Sequence, residues 1–323
     1  MRLRIVHTPR TGPCDAKRIG DAAMTPRMRV ACKYCAAALA AIAMLAPLAS
    51  AAEIVLPDDR GETIRLPYPA ARIVSLAPGL TEMLYAAGAG ERLVGTVEFS
   101  DFPAAARALP RVGNSASVDP EHIAALRPDL VLAWPHGAGA RQVDQLRRLG
   151  LPVFVSDPRN LDDIAQALET LGRLAGSEVQ ARLAARDYRQ KLVRLRAIHA
   201  DAPVLRVFVQ IWSNPLMTVN DRHLITDALR ICGARNVFGA QQQLAPTVTP
   251  EAVVAANPDV ILAVAKSADA QKALDGWRKW PRLDAVRRDR LIAVDPDKLS
   301  RLTPRALEGT TELCASLARA RRQ

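Results

Sequence analysis

The segment "SVDPEHIAALRPDLVLA" at Ser117–Ala133 is nearly repeated 130 positions later as "TVTPEAVVAANPDVILA" at Thr247–Ala263. Each copy predicts a helix and then a strand: a capping residue and a proline begin the helix, and a second proline stops it before an apolar run. This repeated helix-and-strand pattern predicts two structurally related halves. Eight of the seventeen positions are identical: Val118/Val248, Pro120/Pro250, Glu121/Glu251, Ala125/Ala255, Pro128/Pro258, Asp129/Asp259, Leu132/Leu262 and Ala133/Ala263.

Each copy keeps a glutamate directly after its first proline, Glu121 in the first copy and Glu251 in the second. A carboxylate in the first turn of a helix is stabilised by the partial positive charge at the helix N-terminus. This local role accounts for either residue alone. It leaves open why both halves present a carboxylate at equivalent points.

Short, continuously apolar runs alternate with helical stretches throughout the chain. The first half contains "RIVSLA", "LVGTV", "DLVLAW" and "PVFVSD", and the second contains "LRVFVQI", "VILAV" and "RLIAVD". Such runs are typical of parallel strands that are buried on both faces, and their alternation with helices is typical of βαβ units. We therefore expect an α/β fold with two lobes, each built on a mostly parallel sheet.

The stretch between the two halves, Ser177–Ala200, contains neither glycine nor proline. Its many Ala, Leu, Arg and Gln residues favour one helix, about 35 Å long at 1.5 Å per residue, whereas a flexible linker would be rich in Gly, Ser or Pro. The expected organisation is a leader (1–51), an N-terminal lobe that opens with a hairpin (52–176), a rigid bridging helix (177–200) and a C-terminal lobe (201–323).

The N-terminus has the features of a signal peptide. Basic "MTPRMRVACKY" precedes apolar "CAAALAAIAMLAPL" and the small residues "ASA", which predicts export to the periplasm with cleavage after Ala51, whether translation starts at Met1, Met24 or Met28. Residues 1–51 hold eight Lys or Arg and two Asp or Glu, so the net charge falls from +11 to +5 without them. No basic block with interleaved aromatics is left, and nucleic acid is not expected as a partner.

Two cysteines, Cys232 and Cys314, lie outside the leader, which contains the other three. A pair of cysteines in an exported chain usually forms a disulfide, because the compartment is oxidising. We expect these two to be joined.

From Arg72 to Ala320 the chain resembles the substrate-binding proteins of ABC importers, in the class whose two α/β lobes are bridged by one rigid helix. The likeness is carried by "RIVSLAPGLTEMLYAAG", "EFSDFP", "IAALRPDLVLAW", "RQVDQLRRLGLPV" and "LRICGARNVF", which stand in that family's order and spacing. The class carries siderophores, haem and cobalamin, and the likeness is strongest to its cobalamin-binding members.

This resemblance implies a monomeric receptor that captures a corrinoid between its lobes and delivers it to the membrane permease subunits of an importer. A ferric siderophore or haem is the alternative ligand, and Lys298, Arg301 and Arg305 could serve an anionic siderophore. It also implies that Glu121 and Glu251 dock on permease arginines, and that the C-terminal lobe contains a disulfide.

Candidate ligand-binding residues follow the carboxyl ends of the predicted strands, where α/β proteins bind their ligands. The aromatic ones stand out because the chain has only four Trp, four Tyr and five Phe, and such side chains hold flat apolar macrocycles. The resemblance places Phe99 and Trp134 in the cleft; packing is the alternative role for each aromatic residue. The full set is Phe99, Asp101, Trp134, His136, Trp212, Asp297, Lys298 and Arg301.

No motif predicts catalysis, a metal site or a resident cofactor. Gly88-Ala89-Gly90 follows a helix instead of opening one, so it indicates a helix end and not a dinucleotide fingerprint. The histidines lack metal-ligand spacing, and His136 is either an ordinary loop residue or a ligand to a corrin cobalt or another metal. An extracytoplasmic enzyme on a related fold is the remote alternative, and it would need a clustered acid–base pair.

Overall fold

The computed structural model describes residues 53–114, 117–136 and 140–323. The predicted leader and its cleavage site after Ala51 lie outside these residues. Residues 52–323 form one compact unit, so the boundaries of the two lobes stay predictions. None of the helices in the described part of the chain is both long enough and apolar enough to cross a membrane.

Strands and helices alternate as the sequence predicts. The strands are β1 (Ile54–Pro57), β2 (Thr63–Leu66), β3 (Ile73–Ser75), β4 (Leu93–Thr96), β5 (Leu130–Ala133), β6 (Val153–Val155), β7 (Leu205–Gln210), β8 (Trp212–Ser213), β9 (Leu216–Met217), β10 (Ala234–Asn236), β11 (Val260–Val264) and β12 (Leu291–Val294). The helices are α1 (Pro78–Ala86), α2 (Pro120–Ala125), α3 (Ala140–Arg148), α4 (Asp163–Ala175), α5 (Glu178–His199), α6 (Leu224–Ile231), α7 (Pro250–Ala256), α8 (Ser267–Asp275), α9 (Asp284–Arg287), α10 (Pro296–Leu299) and α11 (Arg305–Arg322).

Two four-stranded parallel sheets form the framework, and their strand orders match. The N-terminal sheet has the order β4-β3-β5-β6 and the C-terminal sheet has the order β10-β7-β11-β12. In both sheets, the strand that comes first in sequence is second in spatial order. Two small antiparallel hairpins, β1–β2 and β8–β9, are added. The expectation of two lobes with parallel sheets is confirmed.

Both faces of each sheet are covered, which explains why the central strands are largely apolar. Successive strand residues point to opposite faces. In β7, Val207 and Val209 belong to a core cluster that continues through the helices to the N-terminal sheet, whereas Phe208 packs in a separate cluster on the outer face. In β5, Leu130 belongs to the shared cluster and Val131 to the outer one.

Helix α5 occupies the position of the predicted bridging helix. It packs along α4, and two guanidinium–carboxylate forks join them: Arg189 to Glu169 at 2.6 and 2.8 Å, and Arg196 to Asp162 at 2.8 and 2.6 Å. These bidentate bonds lower the pKa of both carboxyls. They fix the rotation of α5 against its neighbour, as a rigid connection requires.

The segment before α4 connects both lobes to the bridging helix at Leu161. The Tyr188 hydroxyl of α5 donates to the Leu161 carbonyl at 2.9 Å, and the Leu161 N–H donates to the Asp227 carboxylate of α6 at 3.0 Å. Burial is the main reason why the pKa of Tyr188 is raised, so the hydroxyl keeps its proton and remains a donor.

The disulfide is confirmed. Cys232, at the end of α6, is bonded to Cys314 within α11, and both side chains are buried. Arg321, near the end of the same helix, donates to the carbonyl oxygens of Pro203, Cys232 and Gly233 at 2.7–2.9 Å. The C-terminal helix is therefore attached to its lobe at two points.

Candidate ligand surface and docking tips

The two repeated segments form equivalent capped tips. Asp119 accepts hydrogen bonds from two backbone N–H groups in the first turn of α2 at 3.0 Å, and Thr249 accepts one from the first turn of α7 at 3.2 Å. Prolines occupy the first helical position in both. Glu121 and Glu251 follow, and both are exposed. The caps are used by Asp119 and Thr249, so the glutamates are free of that role.

An arginine and an aspartate attach each tip to its sheet in the same way. Arg72 donates to carbonyl groups at the end of α2 at 2.7 and 3.1 Å, and Arg206 does the same for α7 at 2.6 and 3.1 Å. Asp129 accepts from the Arg72 backbone N–H at 2.9 Å, and Asp259 accepts from that of Arg206 at 2.8 Å. The repeated Pro-Asp pair thus fixes the helix relative to the strand.

The loop after β4 presents Phe99 from a buried hydroxyl network. Thr81 and Thr96 share a hydrogen bond of 2.7 Å, and Thr96 donates to Ser100 at 2.8 Å. Directly before Ser100, Phe99 has a φ of +63° and is 67% exposed. A large side chain held in left-handed backbone and in solvent is costly, and such residues cluster at ligand sites.

A buried carboxylate joins the two lobes beside this loop. Glu82 of α1 is only 2% exposed, and its Oε1 lies 2.7 Å from Arg301 and 3.3 Å from Arg305. The Arg305 guanidinium lies over the ring of Phe102 at 4.1 Å from its centroid. Both arginines follow β12, the last strand of the C-terminal sheet, so this contact joins the two halves of the chain at that edge.

Asp297 extends this ionic cluster. Its carboxylate lies 2.9 Å from Arg301 and 2.9 Å from Lys266, and Arg301 also donates to the Phe99 carbonyl at 3.4 Å. Partial burial would raise the pKa of Asp297, but the hydrogen bond from Lys266 and the charge of Arg301 lower it overall. We call Glu82, Arg301, Arg305, Asp297 and Lys266 the interlobe network.

Trp134 and His136 form a second group at the carboxyl end of β5. Their ring centroids are 5.2 Å apart in an edge-on arrangement, and the His136 Nε2 lies 3.4 Å from Asp157, which follows β6. Trp134 packs partly against the shared core. Within the described ranges, no group of three or more His, Cys, Asp or Glu side chains is placed to hold a metal ion.

A cavity of about 810 Å³ lies at the carboxyl ends of β7 and β11. Trp212, which is 62% exposed, borders it together with Lys266, Pro296 and Ser300. Asp297, between the last two residues in sequence, links this cavity to the interlobe network through its contact with Lys266. Contacts from Lys266 to Asp297 and from Asp297 to Arg301 thus connect the cavity to the Phe99 loop.

The predicted ligand residues divide into groups. Phe99, Asp297 and Arg301 are brought together, whereas Trp212 borders the cavity and Trp134 and His136 lie beside Asp157. Asp101 lies in the Phe99 loop, 3.8 Å from Arg111, and Lys298 contacts Glu312 of α11 at 2.5 Å.

Three residues of the interlobe network are missing from the predicted ligand-binding set: Glu82, Lys266 and Arg305. Of these, only Arg305 is expected from the sequence, as a contact for an anionic siderophore. Glu82 did carry a signal: it is a carboxylate among the buried apolar residues of α1, and a buried charge usually needs a partner.

Residues 73–298 match the family model for periplasmic binding proteins, and this chain belongs to that family. Its members are binding proteins and not enzymes, they act in the periplasm, and they supply ABC importers with substrate.

Curated relatives include the vitamin B12-binding proteins of two bacteria. The chain is 37% identical to the one from Vibrio cholerae over 258 residues, which cover 80% of this chain and 92% of the relative. It is 35% identical to the one from Yersinia pestis over 275 residues, covering 85% and 95%.

Solved structures place the fold in the same group. The periplasmic vitamin B12-binding protein of Vibrio cholerae matches with a TM-score of 0.74 at 37% identity, covering 79% of this chain and 99% of the other. A periplasmic haem-binding protein from Roseiflexus sp. RS-1 matches with a TM-score of 0.70 at 25% identity, covering 78% and 99%. Two-lobed architecture is thus shared across different ligands.

Proposed function

We propose that this protein captures a corrinoid such as cobalamin in the periplasm and hands it to the permease subunits of an ABC importer. The observation that carries the proposal is the 37% identity to the Vibrio cholerae vitamin B12-binding protein, which extends over 92% of that relative. A likeness over nearly a whole receptor concerns the ligand surface as well as the framework.

The chemistry of the candidate surface supports a large, mostly apolar ligand. Phe99 and Trp212 are exposed at strand ends, and aromatic faces of this kind hold flat ring systems. The cations near Phe99 are already paired: Arg301 and Arg305 with Glu82, and Lys298 with Glu312. These three cations are therefore not available to a multiply anionic ferric siderophore.

Haem is the second candidate, because the His136 imidazole lies beside Trp134 with 58% of its side chain exposed. An exposed histidine next to an aromatic ring could ligate a haem iron or a corrin cobalt. The same residue would therefore serve either macrocycle.

We assign Glu121 and Glu251 to permease docking. Both are exposed on capped, equivalently anchored helices, one in each lobe. Carboxylates held in this way can make bidentate bonds to arginines, which orient a complex and speed its formation.

The test is calorimetric titration of the chain, purified from the periplasm, with cyanocobalamin, haemin and a ferric catecholate. We expect tight binding of cyanocobalamin alone. Phe99→Ala should weaken it about tenfold, because an aromatic contact is lost. Tyr68→Ala should not, because Tyr68, at the same 67% exposure, lies between the β1–β2 hairpin and the start of β3, away from the carboxyl ends of the parallel strands. Binding of haemin or the catecholate in place of cyanocobalamin would replace the proposed ligand.

A further inference from the structure

The cavity beside Trp212 is lined by lysines that the candidate ligand set does not contain. It lies between α8 with its following turn and the β8–β9 hairpin, and it is bordered by Lys266, Lys272 and Lys279. Positions three to four apart share one helix face. That spacing brings Asp269, Lys272 and Gly276 to the cavity side together with the first lysine.

Two of these lysines have no ionic partner within the part of the chain that the structure describes. Lys266 is bonded to Asp297 at 2.9 Å, which accounts for its charge and raises its pKa. Lys272 and Lys279 are exposed and make no ion pair with a described residue. The single carboxylate in the lining, Asp269, leaves the cavity with a net positive charge.

An aromatic surface accompanies these charges. The Trp212 indole N–H donates to the Asn214 carbonyl at 3.0 Å, which fixes the ring while 62% of the residue stays exposed. Ile211, Leu216 and Trp280 also line the cavity. A site with fixed aromatic and apolar walls and two unpaired ammonium groups suits a ligand part that joins an aromatic ring to a single negative charge.

We call the cavity bordered by Lys266, Lys272 and Lys279 the lysine cavity. Taking the proposed corrinoid function as the basis, we infer that it binds the nucleotide arm of the corrinoid. That arm carries an aromatic base and one phosphodiester, the only negative charge outside the macrocycle. The volume of about 810 Å³ is within the range of small-molecule sites. Lys272 and Lys279 contact the phosphodiester, Trp212 packs on the base, and the macrocycle lies towards Phe99.

The experiment compares cyanocobalamin with dicyanocobinamide, a corrinoid that lacks the nucleotide arm. Dissociation constants are measured for the wild type, for Lys272→Met/Lys279→Met, and for the control Arg186→Met/Lys191→Met, which removes two exposed cations from the bridging helix. We expect the cavity variant to bind cyanocobalamin about tenfold more weakly, as the loss of charge-assisted bonds predicts. Its affinity for dicyanocobinamide should change less than twofold, and the control should match the wild type for both.

The dependence of the affinity on salt concentration gives a second test, which needs no mutation. Between low and high ionic strength, the wild type should lose affinity for cyanocobalamin but not for dicyanocobinamide, since screening acts on exposed charges. Equal weakening of both corrinoids by the cavity variant, or none of either, would overturn the inference while leaving the proposed function intact. Failure of the wild type to bind either corrinoid would refute both.

Discussion

The two lobes are alike at the proposed docking tips and different at the candidate ligand surface. Their sheets have the same strand order, and α2 and α7 are capped, anchored and oriented by matching residues. The loops that follow the strands share no such pattern: one lobe presents Phe99 from a hydroxyl network, and the other builds a lysine-lined cavity beside Trp212. The two lobes thus share a framework but differ in the candidate ligand surface that they carry.

This contrast reflects how strongly each feature is constrained. If the tips dock on a symmetric pair of membrane subunits, as we propose, they must be alike in both lobes, because each subunit offers the same contacts. A ligand without internal symmetry imposes no such requirement on the two walls that enclose it. The repeat therefore survives at Glu121 and Glu251 and disappears at the strand ends.

Reversing both docking charges should have the largest effect. In Glu121→Arg/Glu251→Arg, repulsion from permease arginines should lower cobalamin uptake by cells at least tenfold, as for a lost interfacial charge pair, while affinity for the ligand is unchanged. Radiolabelled cyanocobalamin measures the uptake. Glu62→Arg/Glu91→Arg, two exposed glutamates with the same change of charge, is the control. Wild-type uptake by the first variant would remove the docking assignment.

The disulfide distinguishes the C-terminal lobe, and its loss should be the next largest effect. Cys232→Ala/Cys314→Ala opens a loop of 82 residues, which predicts a free energy of unfolding lower by about 4 kcal/mol in the chain-entropy model. Urea titration measures it, and reductant should act on the wild type but not on the variant. Hydrogen exchange should rise in α6 and α11 first; a uniform rise over both lobes would argue against a local role.

Removing the carboxylate that links the lobes should come third. Glu82→Ala leaves Arg301 and Arg305 without the partner that they share, at a cost of about 3 kcal/mol for a broken buried pair. Glu82→Gln keeps an acceptor and should cost less. Glu178→Ala, which breaks an exposed pair with Arg182, should cost under about 0.5 kcal/mol. Equal losses in the two alanine variants would show that the interlobe contact is unimportant.

The caps of α1 and α6 predict a difference in pH response. His223 caps α6 through its Nδ1, and burial lowers its pKa to about 4, whereas the residue before α1, Ala77, offers no side-chain cap. The unfolded histidine titrates near 6.5, so its contribution is complete above that pH and is lost as the pH falls towards 4, by at most about 3 kcal/mol.

His223→Asn keeps a capping side chain without that titration. The difference in free energy of unfolding between wild type and variant should therefore change across pH 4–6.5 and be constant above it. A constant difference over the whole range would contradict the role of His223.

The smallest expected effect tests the tips themselves. Arg72→Met and Arg206→Met each remove donors to the last carbonyl groups of a repeated helix. Arg72 is exposed and Arg206 is partly buried, so we expect losses of about 1 and about 2 kcal/mol in the free energy of unfolding. Thermal unfolding of the two variants gives the comparison, and a larger loss for Arg72 would reverse it.

Most of the fold could be predicted from local pattern. Capping residues, prolines and continuous apolar runs determine α2, α7 and the central strands, because these signals act within a few residues. The sequence does not predict strand β10, because "ARN" has no apolar run; in the structure it pairs in parallel with the edge of β7. The two-residue strands β8 and β9 are too short for any periodicity.

The site was less predictable because its contacts join distant positions. Arg301 and Glu82 are 219 residues apart, and nothing local relates them. Lys298 is next to Asp297 in sequence, yet the short helix α10 turns it to Glu312, since neighbouring residues on a helix point in different directions. Strand ends, in contrast, could be located from sequence, and Phe99, Trp134 and Trp212 were found there.

The guanidinium–carboxylate pairs between α4 and α5 have a consequence for the competition between empty and loaded receptor at the importer. If these pairs prevent the bridging helix from bending, the distance from Glu121 to Glu251 is the same with and without bound ligand. An empty receptor would then occupy the importer as readily as a full one, and throughput would depend on the ratio of the two populations.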